Sequence, residues 1–169
     1  MSMRSLAAPM ALAALLAVLP GCGAMKFGSS EPAADPAAAG NAAFEKKDYA
    51  EACRELSKAG PSAGAETLAR GGAACAKDGQ DKAETAFRAA LAASPTSAPA
   101  MEGLGLTLLA GGDAARARDM LEAAAKAGGK DPRAAVAQGD ASLLLGQCDK
   151  AQTAYQEALR REAGNAQAP

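Results

Sequence analysis

Four cysteines are the residues of this sequence with the most distinctive chemistry. Cys53, Cys75 and Cys148 are widely spaced and lack the close pairs typical of zinc ligands, so we expect no metal site. The sequence contains no histidine that could act as a base near neutral pH, and its acidic residues are spread along polar segments. We therefore expect no enzymatic activity and no cofactor.

A ladder of small and large residues recurs four times and indicates which elements position the cysteines. One copy has Gly105, Leu109, Ala117, Leu121 and Ala124. The four copies start at Gly40, Gly71, Gly105 and Gly139, which are 31, 34 and 34 residues apart. This period is typical of helix–turn–helix repeats. Aromatic residues make up only 3% of the chain and alanine, the best helix former, is abundant, so we predict an all-α fold.

The predicted helices would bring two cysteines to the same level. Cys53 lies early in the second helix of the first repeat, and Cys75 lies late in the first helix of the next. Because consecutive helices are antiparallel, a Cys53–Cys75 disulfide is feasible. The alternative is that both are small buried apolar side chains that point apart. Cys148, at the turn of the last repeat, would remain single and be either inert or paired between chains.

One segment carries a family resemblance. Residues 81–95 resemble the second helix and closing proline of the tetratricopeptide repeat, and Leu104–Gly105 resembles its leucine–glycine pair. The resemblance implies a right-handed α-α superhelix of about four helix–turn–helix repeats. Departing from the family, Thr67, Met101 and Ala135 stand where an early large aromatic is usual. The predicted repeat domain covers 40–165, with repeats at about 33–63, 64–97, 98–131 and 132–165 and a tail at 166–169.

The N-terminus is predicted to be a targeting segment. The apolar run from Leu6 to Leu19 is shorter than the roughly 20 residues that a membrane span needs. Residues 19–22 resemble the lipobox of bacterial lipoproteins, which implies a signal peptide at 1–21 and acyl chains on Cys22. Gly23, where aspartate would favour the inner membrane, implies an anchor on the periplasmic face of the outer membrane. The alternative is an ordinary signal peptide with a chance cysteine.

Residues 22–39 are predicted to be a lipidated cysteine and a flexible linker, because this stretch has no apolar periodicity and contains two prolines. The net charge of −1 argues against nucleic-acid binding.

The resemblance also implies a concave groove, lined mainly by first helices, that binds a partner protein. Such an apolar trough suits an amphipathic helix or an extended apolar segment. Only Asn41 and Arg133 could contribute to a carboxylate clamp of the kind found in the family. The alternative is that several of the candidate leucines belong to the core between repeats. Our candidate groove residues are Leu68, Gly72, Glu102, Leu106, Leu109, Arg133, Val136, Asp140 and Leu143.

The combination of lipobox, linker and repeats resembles that of the lipoproteins of type IV and tight-adherence pilus or secretion systems. It implies an outer-membrane scaffold for assembly of such an apparatus, with a secretin or pilus-assembly component as partner. The alternative is a cell-envelope adaptor for peptidoglycan-remodelling or other periplasmic enzymes. A soluble chaperone or adaptor would apply if the lipobox were not processed.

The C-terminal end of the array is a second candidate interface. We expect the final helix to end at about Glu162, with no polar capping helix after it. Ala154 and Leu159 would then be exposed and available for a dimer contact.

Overall fold

The computed structural model describes residues 35–166. They form eight α-helices and one short 3₁₀ helix at Pro61–Ala63, with no β-strand in this range. The predictions for the signal peptide, the lipobox and Cys22 lie outside the described residues. The helices are α1 (Pro36–Glu45), α2 (Tyr49–Leu56), α3 (Ala65–Cys75), α4 (Gln80–Ala93), α5 (Ala98–Ala110), α6 (Ala114–Lys126), α7 (Pro132–Leu144) and α8 (Cys148–Ala166).

Consecutive helices pair into four hairpins, and the hairpins stack in chain order. The first helices of neighbouring hairpins, α1, α3, α5 and α7, pack against one another, and each second helix contacts the first helix of the next hairpin. The prediction of an all-α fold built from four helix–turn–helix repeats is confirmed.

Aspartates begin four of the helices. The carboxylates of Asp35, Asp48, Asp113 and Asp131 accept hydrogen bonds from backbone N–H groups in the first turns of α1, α2, α6 and α7. These bonds satisfy donors that have no partner within the helix. Asp35 and Asp131 are each followed by a proline, whose missing N–H costs nothing at a helix start.

The hairpin turns use a left-handed backbone at one repeated position. Gly112 and Gly146, each seven residues after its ladder glycine, have φ values of 83° and 70°. Lys47 takes this position in the first repeat with φ of 61°. Glycine adopts this conformation without strain, whereas a side chain at Lys47 disfavours it.

The ladder glycines lie under large side chains. A Cβ atom added at Gly105 would lie 2.5 Å from Cγ of Leu121, sixteen residues further along the chain. A Cβ atom added at Gly139 would likewise lie 2.5 Å from the ring of Tyr155, which is also sixteen residues further along. Leu121 also forms a buried cluster with Ala134 and Ala137 of α7, so the large residue fills space in its own hairpin and beside the next one.

The observed boundaries correct the predictions at both ends. Because Asp35 caps α1, the helix starts at Pro36, and the linker predicted over 22–39 extends four residues too far. The last helix runs to Ala166 rather than ending near Glu162, since Ala163 and Ala166 are strong helix formers and a single Gly is tolerated inside a helix. Within 35–166, no helix combines the length and apolar character needed to cross a bilayer.

Candidate partner-binding groove

An open groove of about 750 Å³ runs between α3 and α5. Its floor consists of small residues, among them Ala69, Ala73 and Gly103, beside the larger Leu106 and the ring of Phe87. Small residues let another chain approach the two helix backbones closely. The groove therefore has the shape and the mainly apolar surface that a peptide segment requires.

Polar groups line the edges of the groove. On α3, the Arg70 guanidinium lies 3.1 Å from the Glu66 carboxylate and 3.6 Å from that of Glu45. Lys77, at the C-terminal end of this edge, has no ion-pair partner among residues 35–166. Gln80 Nε2 donates a hydrogen bond of 2.8 Å to the carbonyl of Thr107 and so ties α4 to α5 beneath the groove.

Glu102 is the buried acid of the groove, with 9% of its surface exposed. Its Oε1 accepts a hydrogen bond of 3.1 Å from the backbone N–H of Asp131, at the start of α7. Burial raises the pKa of Glu102, and the N–H of Asp131 and the charges of Arg161 and Arg133 oppose that rise only in part. Glu102 therefore joins the third repeat to the fourth through a desolvated carboxylate.

Replacing Glu102 with glutamine is expected to remove a pH dependence of stability. Because the folded pKa of Glu102 lies above the unfolded one, its stabilising contribution is complete at low pH and is lost as pH rises through the folded value. The Glu102→Gln variant keeps an acceptor for the Asp131 N–H but does not titrate. The free energy of unfolding of the variant minus that of wild type should therefore be larger at about pH 7 than at about pH 4. Urea unfolding of both proteins at the two pH values measures this, and a pH-independent difference would contradict it.

The structure corrects the predicted groove residues. Glu102, Leu106 and Arg133 line the groove. Leu68, by contrast, is a core residue with 4% exposure, and Leu109 packs against the buried cluster of Leu121, Ala134 and Ala137. Gly72 lies under the Phe87 ring.

Val136, Asp140 and Leu143 also lie outside the groove, on α7. They occupy the same repeat positions as Glu102, Leu106 and Leu109, which contact the following hairpin. Within residues 35–166 no hairpin follows α8, so Val136 and Leu143 are exposed. The set predicted as groove-lining is thus largely the face between repeats.

Asn41 and Arg133 do not form a carboxylate clamp in the described part of the chain. Asn41 lies on α1 outside the groove, and its Oδ1 is buried without a hydrogen-bond partner. Arg133 is engaged with the carboxylate of Asp131, at 2.8 Å.

The prediction missed the groove residues of α3. A signal for them was present, because the position two residues before each ladder glycine is always small: Ala38, Ala69, Gly103 and Ala137. Ala69 and Gly103 are the residues that form the groove floor.

Cys53 and Cys75 are joined by a disulfide bond, with their Cα atoms 4.7 Å apart. The bond ties α2 to α3 and therefore the first repeat to the second. Cys148 is exposed and is the first residue of α8. Residues 35–166 contain no cluster of three or more acidic or cysteine side chains that could hold a metal ion.

At the C-terminal end, Leu159 is 67% exposed, as expected. Ala154 is only 5% exposed, so its predicted exposure is wrong. Ala154 lies on the opposite side of α8 from Leu159 and faces the interior of its own hairpin.

Comparison with known proteins defines the class of the fold. The model of the tetratricopeptide repeat family matches residues 81–141, from the start of α4 to within α7. No curated protein matches the sequence significantly. The matched residues and the stacked hairpins of the described part of the chain indicate a fold of the tetratricopeptide repeat type.

Solved structures agree with this class. A crystal structure of MamA superposes with a TM-score of 0.68 at 23% identity, covering 79% of this chain and 80% of that one. YrrB, a TPR protein with an unusual peptide-binding site, gives 0.63 at 19% identity and coverages of 76% and 68%. The CopN–Scc3 complex gives 0.51 at 21% identity, with coverages of 57% and 58%. The predicted right-handed α-α superhelix is confirmed.

Proposed function

We propose that this protein is a lipid-anchored periplasmic scaffold of the outer membrane that takes part in assembling a pilus or secretion apparatus. In this proposal it binds a segment of a partner protein in the groove between α3 and α5. The observation that carries the proposal is the groove itself, with its floor of small residues and its polar edges.

The groove chemistry favours a short apolar segment with an acidic group near one end. Leu106 and the Phe87 ring offer apolar contact area on the floor. Lys77 offers an ammonium group at the end of the α3 edge, where a carboxylate of the partner would find a counter-charge. Binding of a peptide by the similarly folded YrrB supports the use of such a surface.

Two features support a position in the cell envelope. The predicted lipobox at Cys22 supplies a membrane anchor, and a disulfide such as Cys53–Cys75 is typical of proteins in oxidising compartments. Two or more acyl chains on Cys22 would hold the protein stably at a bilayer surface.

Replacing Cys22 with alanine is expected to release the protein from the membrane fraction, because the variant has no thiol to acylate at the lipobox position. Fractionation of cells that produce wild type or Cys22→Ala measures the change. Cys148→Ser is the matched control and should remain membrane-bound. Tight membrane association of Cys22→Ala would contradict the anchor.

Blocking the groove is expected to abolish partner capture. Ala73 is exposed on the groove floor, so Ala73→Arg would fill the groove with a long charged side chain. Ala92→Arg is the matched control, because Ala92 is exposed on α4 and does not line the groove. We expect a secretin or pilus-assembly component to copurify, from detergent-solubilised envelopes, with wild type and Ala92→Arg but not with Ala73→Arg.

Two other results would count against the proposal. Recovery of cell-wall hydrolases without a secretin would favour the envelope-adaptor alternative over the role in a pilus or secretion apparatus. Equal capture by Ala73→Arg and Ala92→Arg would show that partners bind outside the groove.

A further inference from the structure

The last hairpin presents an uncovered surface that we call the terminal face: Val136, Asp140 and Leu143 of α7, and Tyr155 and Leu159 of α8. Val136 is 38%, Leu143 50% and Leu159 67% exposed. Residues at the repeat positions of Val136, Asp140, Leu143 and Tyr155 are buried or half-buried inside the array, whereas Ala125, at the position of Leu159, is exposed. Leu109, equivalent to Leu143, packs against α7, and Leu91, equivalent to Leu159, packs against the core. The terminal face is therefore shaped to receive another hairpin.

The inner junctions show what such a face receives. In each of two junctions, the large residue of one hairpin meets the small residue that lies two positions before the next ladder glycine. A Cβ added at Gly103 would lie 2.2 Å from the Phe87 ring, and Leu121 shares a buried cluster with Ala137. Tyr155 is the equivalent large residue of the terminal face, and within residues 35–166 it has no such small residue to cover.

The first hairpin carries the unmatched small residue. Ala38 stands two positions before the ladder glycine Gly40, and both Ala38 and Ala42 are exposed on α1. Their equivalents in α7, Ala137 and Ala141, are buried against α5 and its neighbours. We call Ala38, Ala42 and the N-terminal turn of α1 the first face.

The charges of the two faces are also complementary. Between the third and fourth hairpins, the Glu102 carboxylate accepts the N–H of Asp131, the residue that caps α7. Counted from the ladder glycine of its own hairpin, α1 starts three residues later than α7 does. Counted in the same way, Asp140 lies four residues later than Glu102. The acid and the helix N-terminus have thus moved together by about one turn, so stacking the terminal face on the first face would place Asp140 opposite the N-terminal N–H groups of α1.

We propose that the terminal face of one copy packs against the first face of a second copy, so that the superhelix continues from chain to chain. The contact is head-to-tail, and each copy uses a different face. The opposite arrangement, terminal face against terminal face, would leave Ala38 and Ala42 uncovered.

The test uses the full chain purified in detergent, with sedimentation velocity over a concentration series. Wild type should form dimers and longer species as concentration rises. Leu143→Arg on the terminal face and Ala38→Arg on the first face should each weaken association by about tenfold or more. Leu144→Arg is the matched control and should associate like wild type, because Leu144 is 71% exposed and lies outside the terminal face.

Mixing the two single variants distinguishes this contact from others. Leu143→Arg keeps its first face and Ala38→Arg keeps its terminal face, so an equimolar mixture should form dimers but no longer species. Circular dichroism confirms that each variant is folded, and Leu159→Arg replaces Leu143→Arg if the latter is not. Wild type that stays monomeric, undiminished dimerisation of Ala38→Arg, or a mixture without dimers would each overturn the proposal. Because the groove lies elsewhere, partner capture and self-association can fail independently.

Discussion

Removing the Cys53–Cys75 disulfide is expected to lower the free energy of unfolding by about 3 kcal/mol. The bond closes a loop with a sequence separation of 22 residues, and cutting it restores conformational freedom to the unfolded chain. The first repeat needs this bond because its second helix is short: α2 has only 8 residues, whereas α4 has 14. A loss of this size corresponds to a fall in melting temperature of roughly 10 °C.

The Cys53→Ala/Cys75→Ala double variant tests this value by thermal and urea unfolding. Reducing the disulfide of wild type with a thiol reductant should reproduce most of the loss of stability while breaking only the S–S bond and removing no side-chain atoms. Cys148→Ser is the control and should unfold like wild type, because Cys148 is exposed and takes no part in the bond. If the reduced and oxidised wild-type proteins unfolded at the same temperature and the same urea concentration, the expectation would be wrong.

Truncating Leu121 to alanine is expected to cost about 2–5 kcal/mol, because Leu121 is 2% exposed and its loss leaves a cavity over Gly105. Gly105→Ala alone should also destabilise the protein. The new Cβ would lie 2.5 Å from Leu121 Cγ, an overlap costing about 1–3 kcal/mol, while the better helix propensity of alanine returns at most about 1 kcal/mol.

The two changes together should cost less than their sum. In the Gly105→Ala/Leu121→Ala variant, the new methyl group occupies part of the vacated space and meets no leucine. We expect a coupling of about 1 kcal/mol in the double-mutant cycle, measured by urea unfolding. Gly164→Ala is the matched control, since nothing lies within 4 Å of its added Cβ, and it should be neutral or stabilising. Additive costs would mean that the Gly105–Leu121 contact does not hold the hairpin together.

The sequence was sufficient for the fold because the fold depends on spacing along the chain. A glycine and a leucine sixteen residues apart can meet only if the chain reverses between them, and Asp113 with Gly112 supplies the turn. The same reasoning placed Cys53 level with Cys75 on antiparallel helices. These inferences need only the direction of each helix and the positions of the turns between helices.

The groove could not be predicted in this way because it depends on rotation about the helix axis. The predicted set used Leu106 and Leu109, and the groove keeps Leu106 but has Ala110, one residue further along, in place of Leu109. One residue is a rotation of about 100° on a helix. Which of two adjacent faces points to solvent is set by the angle at which hairpins stack, and no single repeat encodes that angle.

The disulfide between α2 and α3 also determines which end of the array unfolds first. In a stack of repeats, each hairpin is held by its neighbours, so the end hairpins fray first. The first hairpin is covalently tied to the second, whereas within residues 35–166 the α7–α8 hairpin is held from one side only and has no cross-link. Fraying should therefore start at α8 and progress towards α1. A segment bound between α3 and α5 would lie close to the part of the array that opens last.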